Sequence, residues 1–342
     1  MSRPCSAFRI GSLLLLFTQA LPAQDRVTFS PAENGGTVTA IGEVTEYTGR
    51  ELVLKTINGT QHLSPESIIR IETNSVPAYQ KALIVFQSGE TETAQTLFRN
   101  ALNEEHRPWV QREIRSWLVK CSLRREDIPG ALQEFHTILL SDPQTRFWGI
   151  APLAWAPSAV SEDLRIELQP ALKSPRETSR LLAASWLLLD PVQGEAAERV
   201  LLDLSRDINP ILSAYSRIQL WRLSIGSRQV TEIMLADWRK EIDRLSPKLR
   251  SGPQYLLARG YEVRGDFRMA AAEAMWLPTV YADHEPLAAR ALFDAADGMT
   301  RSGLVDEALV LKQELMMRYA WSREASLTRS QLRSSPQPNG LP

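Results

Sequence analysis

A mainly α fold is what this sequence predicts: a solenoid of stacked helix pairs preceded by a small antiparallel, β-barrel-like module. Three observations carry that reading. Gly89, Gly265 and Gly303 each precede an alanine (Ala94, Ala270 and Ala308) by five residues. Each glycine closes one apolar-periodic segment and each alanine opens the next, the layout of a helix–turn–helix repeat. From Pro77 almost to the end the apolar residues recur at helical spacing, whereas residues 27–73 alternate at the period of a strand.

The chain has 342 residues, 44% of them hydrophobic, enough for a large core or a long repeat array. Its 39 basic and 40 acidic residues nearly cancel. No net basic field draws in nucleic acid, which is not an expected partner. Only seven of the basic residues are lysines; the arginine excess suits anion recognition, although genomic base composition produces the same bias.

Residues 1–23 read as a signal peptide. Arg3 and Arg9 give a positive start, Ile10 to Phe17 an apolar run, and Ala20 and Ala23 offer cleavage points. The run is shorter than the roughly 20 apolar residues a bilayer span needs, so the exported chain is not expected to cross a membrane. It would be periplasmic or extracellular, with Cys121 its one cysteine and no intrachain disulfide.

Residues 24–75 form the β-module. Val44, Glu46 and Thr48 alternate with Thr45 and Tyr47, Leu52 and Leu54 flank Val53, and Asn58-Gly59 has the chemistry of a tight hairpin turn. Four or five short strands are expected, leaning on the first helices because so small a module has little core of its own. The rhythm of "GEVTEYTGRELVLKTINGTQHLSPESIIRIET" is similar to that of SH3-like and Sm-like barrels. Asn58-Gly59-Thr60 also matches a glycosylation sequon, which the turn explains without a sugar.

Residues 76–143 hold two helical units. Tyr79, Ala82, Leu83 and Phe86 share a face opposite Ala94, Leu97, Phe98 and Ala101; Ile114, Trp117, Leu118 and Cys121 repeat it opposite Ala131, Phe135 and Ile138. Ala94-x3-Phe98 and Ala131-x3-Phe135, with Pro143 closing the second unit, resemble the tetratricopeptide (TPR) pattern, in which a small residue lets two helices approach and an aromatic fills the gap. The two alanines are 37 residues apart, against about 34 in the ideal repeat. Residues 251–325 carry the glycine and alanine of the pattern but place Ala274 and Lys312 where the aromatic belongs. Between these blocks, 144–250 reads as a degenerate continuation of the solenoid, TPR-like or HEAT-like, beginning with a connector that contains Trp148, Pro152, Trp155 and Pro157. Residues 326–342 read as a disordered tail.

Motifs of catalysis are missing. His62, His106, His136 and His284 are isolated; Asp283-His284-Glu285 is explained by capping a helix; and no phosphate loop, nucleophile elbow or Ser-x-x-Lys pair occurs. The sequence therefore predicts no catalytic residue, no metal and no cofactor, and points to a binding protein. The TPR resemblance implies that the first helix of each pair lines a concave groove. That places Lys120 and Arg124 in one unit and Tyr255, Arg259, Arg290, Phe293 and Arg301 in the last two, with cations suited to a peptide carboxylate and aromatics as apolar platforms. The function so implied is an exported, non-catalytic scaffold for protein partners in a bacterial envelope. An alternative makes the β-module and the Trp148 to Trp155 connector a glycan-binding unit, and a weaker one is an enzyme with a dispersed site.

Overall fold

The computed structural model describes residues 24–31 and 36–334; residues 1–23, where a signal peptide is expected, and the last eight positions of the expected tail lie outside them. The strands are β1 (Asp25–Phe29), β2 (Val38–Tyr47), β3 (Leu52–Thr56), β4 (Gly59–Leu63) and β5 (Ile68–Glu72), in the order β4-β3-β2-β1-β5 with every pairing antiparallel. The long β2 pairs with β1 along its first half and with β3 along its second. Gly42 sits at the changeover, where a Cβ would come within 2.4 Å of the Lys55 carbonyl oxygen.

The sheet does not close, which corrects the barrel-like expectation: β4 and β5 remain its two edges. The reason lies in its packing. Val27, Val44, Tyr47, Leu52 and Leu54 share one apolar core with Ala82, Phe86, Phe98, Trp109 and Ile114, so helices cover the buried face and the sheet need not cover itself. The hairpin turn also falls one residue earlier than expected. Ile57 and Asn58 form it with negative φ, and Gly59 alone, at φ 125°, takes the left-handed region opposite Thr56.

The helices run α1 (Pro77–Gln87), α2 (Thr91–Glu104), α3 (Pro108–Arg124), α4 (Ile128–Ser141), α5 (Glu162–Leu168), α6 (Glu177–Leu187), α7 (Gly194–Leu204), α8 (Pro210–Gly226), α9 (Glu232–Arg244), α10 (Ser251–Val263), α11 (Phe267–Ala274), the short α12 (Trp276–Thr279), α13 (Glu285–Arg301), α14 (Val305–Arg318) and α15 (Arg323–Ser334). They stack as the pairs α1/α2, α3/α4, α6/α7, α10/α11 and α13/α14, while α8 meets α9 through the stacked rings of Trp221 and Trp238, 4.7 Å apart. Trp109 and Arg112 of α3 fasten the sheet to this array: the Trp109 indole donates to the Val44 carbonyl at 2.9 Å, and Arg112 to that of Tyr47 at 3.0 Å.

One backbone device joins the two helices of most pairs. After α1, α10 and α13 the chain turns at Gly89, Gly265 and Gly303, with φ of 88°, 84° and 80°. The amide of the following residue bonds the carbonyl five residues back, as in Glu90 to Val85 and Leu304 to Met299, which is the Schellman closure of a helix. The same closure follows α3 and α8, but there the left-handed residue is Glu126 or Arg228, with φ of 56° and 57°. On the second helices the alanines of the sequence phrase are buried, Ala94 and Ala308 almost completely and Ala270 less so, and Ala131 is fully buried on α4.

The expectation of a disordered tail from residue 326 does not hold for residues 326–334. Residues 326–334 complete α15, which packs on α13 and α14 with Ala325 and Thr328 fully buried. Two short side chains three positions apart let this helix lie close without a broad apolar stripe.

Candidate functional site

The array curls on itself. Along one face the first helices α6, α8, α10 and α13 touch in succession, and α13 meets α3 of the second pair. Arg124 on α3 closes that junction, paired with Glu285 at 2.5 Å and packed over the rings of Phe86 and Trp321 at 3.4 and 4.6 Å. This face is not an open groove, because the connector after α4 runs across it.

Residues 151–157 cross the face without regular secondary structure, with a tight turn at Pro152 where the Leu153 amide donates to the Ala151 carbonyl at 2.7 Å. Pro152 carries no amide N–H, which spares the buried part of the segment a donor that would need a partner. The Ala154 amide donates to the Ser185 hydroxyl and the Trp186 indole to the Pro152 carbonyl, both at 2.8 Å, so α6 grips the connector through its polar atoms. The Trp155 ring lies edge-on to Tyr215 of α8 at 5.5 Å and directly over Gly252 of α10, where a Cβ would come within 2.1 Å of the ring. Trp148, 1% exposed, is wedged between Phe135 and Tyr215. These two tryptophans are therefore packing residues rather than the exposed aromatic platform considered from the sequence: the notch at Gly252 and the Tyr215 ring give them a place inside.

Two clefts open beside the connector, with Trp155 and Pro157 in the wall of both. The smaller, of about 290 Å³, has an apolar floor that includes Leu256, Ile225 and Val263 and is rimmed by Arg222, Arg228, Arg259 and Arg301 with a single carboxylate, Glu262. Arg222 is 5% exposed, and its bonds run to neutral oxygens, the Ser185 carbonyl and the Gln219 amide. No carboxylate of the described residues pairs with it, and burial pulls its pKa down to about 10. A buried cation without a counter-charge costs several kcal/mol. Arg228 likewise forms no ion pair among the described residues. The Nε of Arg259 is buried without a hydrogen-bond partner, while its Nη1 pairs with Glu262. Burial pushes the Glu262 pKa up, against the opposing pull of Arg259.

The larger cleft, of about 630 Å³, carries Glu126, Asp163, Glu167 and Glu324 against Arg290 and Arg323. His284 is 7% exposed at its wall, both ring nitrogens lack a partner, and burial lowers its pKa to about 4. Burial likewise raises the Glu324 pKa. The Arg290 guanidinium is also desolvated, yet Tyr255 and Asp294 beside it outweigh that and hold its pKa above the usual arginine range.

The residues singled out from the sequence separate in space. Arg259 and Arg301 reach the smaller cleft and Arg290 the larger. Tyr255 is fully buried between them and donates to Asp294 at 2.8 Å. Phe293 packs against the core. Lys120 rests over the Trp117 ring at 4.4 Å, and Arg124 is engaged at the α3–α13 junction. Arg222, Arg228 and Glu324 were not singled out, and His284 was read only as part of a helix cap, although its side chain makes no capping hydrogen bond. Arg222 did carry a signal, as the lone cation inside the apolar run Ile218 to Ile225. Among the described residues no helix is long and apolar enough to cross a membrane. No protein-family model matches the chain, and neither curated proteins nor solved structures show significant similarity to it.

Proposed function

We propose that this protein is an exported, non-catalytic scaffold of the bacterial envelope, TPR-like in its helix pairs, which binds protein partners on the face formed by its first helices. The observation that supports this reading most is the connector itself. An irregular, proline-bearing segment lies across α6, α8 and α10 with its tryptophan in a notch and its backbone held by side chains, and a peptide from a partner would be held on such a face in the same way. The clefts on either side of Trp155 are the places left for a partner. Burial of Trp148 and Trp155 leaves the glycan-binding alternative to rest on the β-module alone.

Site-specific photocrosslinking in the envelope tests the proposal. A crosslinker at Arg259 or Arg290 should capture the same dominant envelope protein, and one at Ile233, exposed on the outer side of α9, should capture none. Equal capture from all three positions, or none from the two arginines, would sink the reading, as would a chain that stays in the cytoplasm on fractionation.

A further inference from the structure

We infer that the smaller cleft receives the C-terminal end of a partner polypeptide, its terminal carboxylate among Arg222, Arg228, Arg259 and Arg301 and its last, apolar side chain on the floor beside Trp155. This rests on the reading above that the inner face takes a peptide, and goes further by naming which end of the chain it takes.

Four features of the cleft point to that ligand. Of the four arginines at its rim, Arg259 pairs with Glu262 and approaches Asp294, and Arg301 approaches Glu262 and Asp297, whereas Arg222 and Arg228 meet no carboxylate among the described residues and are the two left for an anion from outside. Arg222 is almost wholly buried with no carboxylate to meet it, and a guanidinium in that state matches the planar, two-oxygen geometry of a carboxylate. Arg228 is held at φ 57°, a position that glycine fills after α1, α10 and α13; the side chain retained there stands at the rim. Lastly, the cleft beside these cations has an apolar floor and a volume of about 290 Å³, room for one large side chain and not for a folded surface. An inorganic anion would leave that floor bare, and an internal peptide segment would bring a carboxylate only on an Asp or Glu side chain, not on the residue whose apolar side chain fills the floor.

Gly226 supplies a way to close the cleft without touching any of these charges. It lines the cleft, its φ is not in the left-handed region, and the nearest atom to a Cβ built there is Leu189 Cδ2 at 4.0 Å. A Gly226→Phe side chain would therefore grow into the cleft from a helix that tolerates it.

The test uses the full exported chain and an array of hexapeptides that carry each of the twenty residues at the last position, presented once with free carboxylates and once as amides. Free-acid peptides ending in a large apolar residue should bind, with at least a tenfold loss on amidation. The same loss should follow Arg222→Gln, and Gly226→Phe should abolish binding in a protein whose circular dichroism and melting remain native. Equal binding of acids and amides would overturn the inference, as would retention by Gly226→Phe. So would decanoate binding at this cleft more tightly than every peptide, which would make the ligand a free fatty acid. If Arg259 and Arg290 still crosslink one envelope protein while amidation changes nothing, the carboxylate inference falls and the scaffold reading stands; if both fail, both fall.

Discussion

The two clefts share Trp155 and Pro157 yet differ in charge, and the difference shows how a repeat array specialises. The smaller is rimmed by four arginines and one glutamate, the larger by four carboxylates and two arginines. Both receive a residue from the same structural position, the left-handed turn that ends a first helix. Arg228 stands at one and Glu126 at the other, whereas Gly89, Gly265 and Gly303 occupy it elsewhere. A non-glycine residue there costs about 1–2 kcal/mol, so in these two turns a charged side chain is retained at the expense of local stability.

The largest way to break this comparison is to remove the wall both clefts share. Trp155→Ala should destabilise the chain by about 3–5 kcal/mol through a core cavity, read as a lower denaturant midpoint. A change near zero would mean that residues 151–157 are a loosely held strap and not part of the core.

pH should separate the clefts next. His284 has a folded pKa of about 4, below its ordinary 6.5, so between those values the unfolded chain binds more protons. Stability is then full above pH 6.5 and is lost as pH falls toward 4, by about 3 kcal/mol at most. The raised carboxyls Glu262 and Glu324 oppose this in the lower part of the window, since they favour the folded chain when protonated. His284→Asn should flatten the slope in a urea series run from pH 4 to 7. Arg222, with its pKa near 10, adds nothing to the slope there.

Gly252→Ala should cost about 1–3 kcal/mol, because the added methyl meets the Trp155 ring. A neutral result would show that the ring moves freely off α10. Arg228→Gly and Glu126→Gly should each gain about 1 kcal/mol by relieving the left-handed turn, seen as a higher melting temperature. Only Arg228→Gly should weaken a ligand of the smaller cleft.

Much of the array was legible because its chemistry is local. A left-handed helix end selects glycine and a close helix approach selects alanine, so Gly89 with Ala94, Gly265 with Ala270 and Gly303 with Ala308 announced three turns. Glu126 and Arg228 make the same turn without that mark, and the turn after α8 went unread. The strand alternation of Val44 to Leu54 located the sheet, and its small size pointed to the first helices as its support, but not to their taking the place of a closing strand. Residues 326–334 carry too little apolar surface to announce a helix, and Ala325 and Thr328 hold it only because α13 and α14 offer a close fit.

The sequence by itself determined the helix pairs, the sheet before them and the scarcity of catalytic motifs, since each depends on residues within a turn or two of one another. Tertiary structure decided where the cations stand. Arg124 finds Glu285 across 161 positions, and Tyr255 and Arg290 share Asp294. Arg222 is buried without an acid because the connector, seated on Ser185, Tyr215 and Gly252, covers the face it lies on. Such meetings follow from how far the array curls, a sum of small rotations between pairs that no single stretch of residues records.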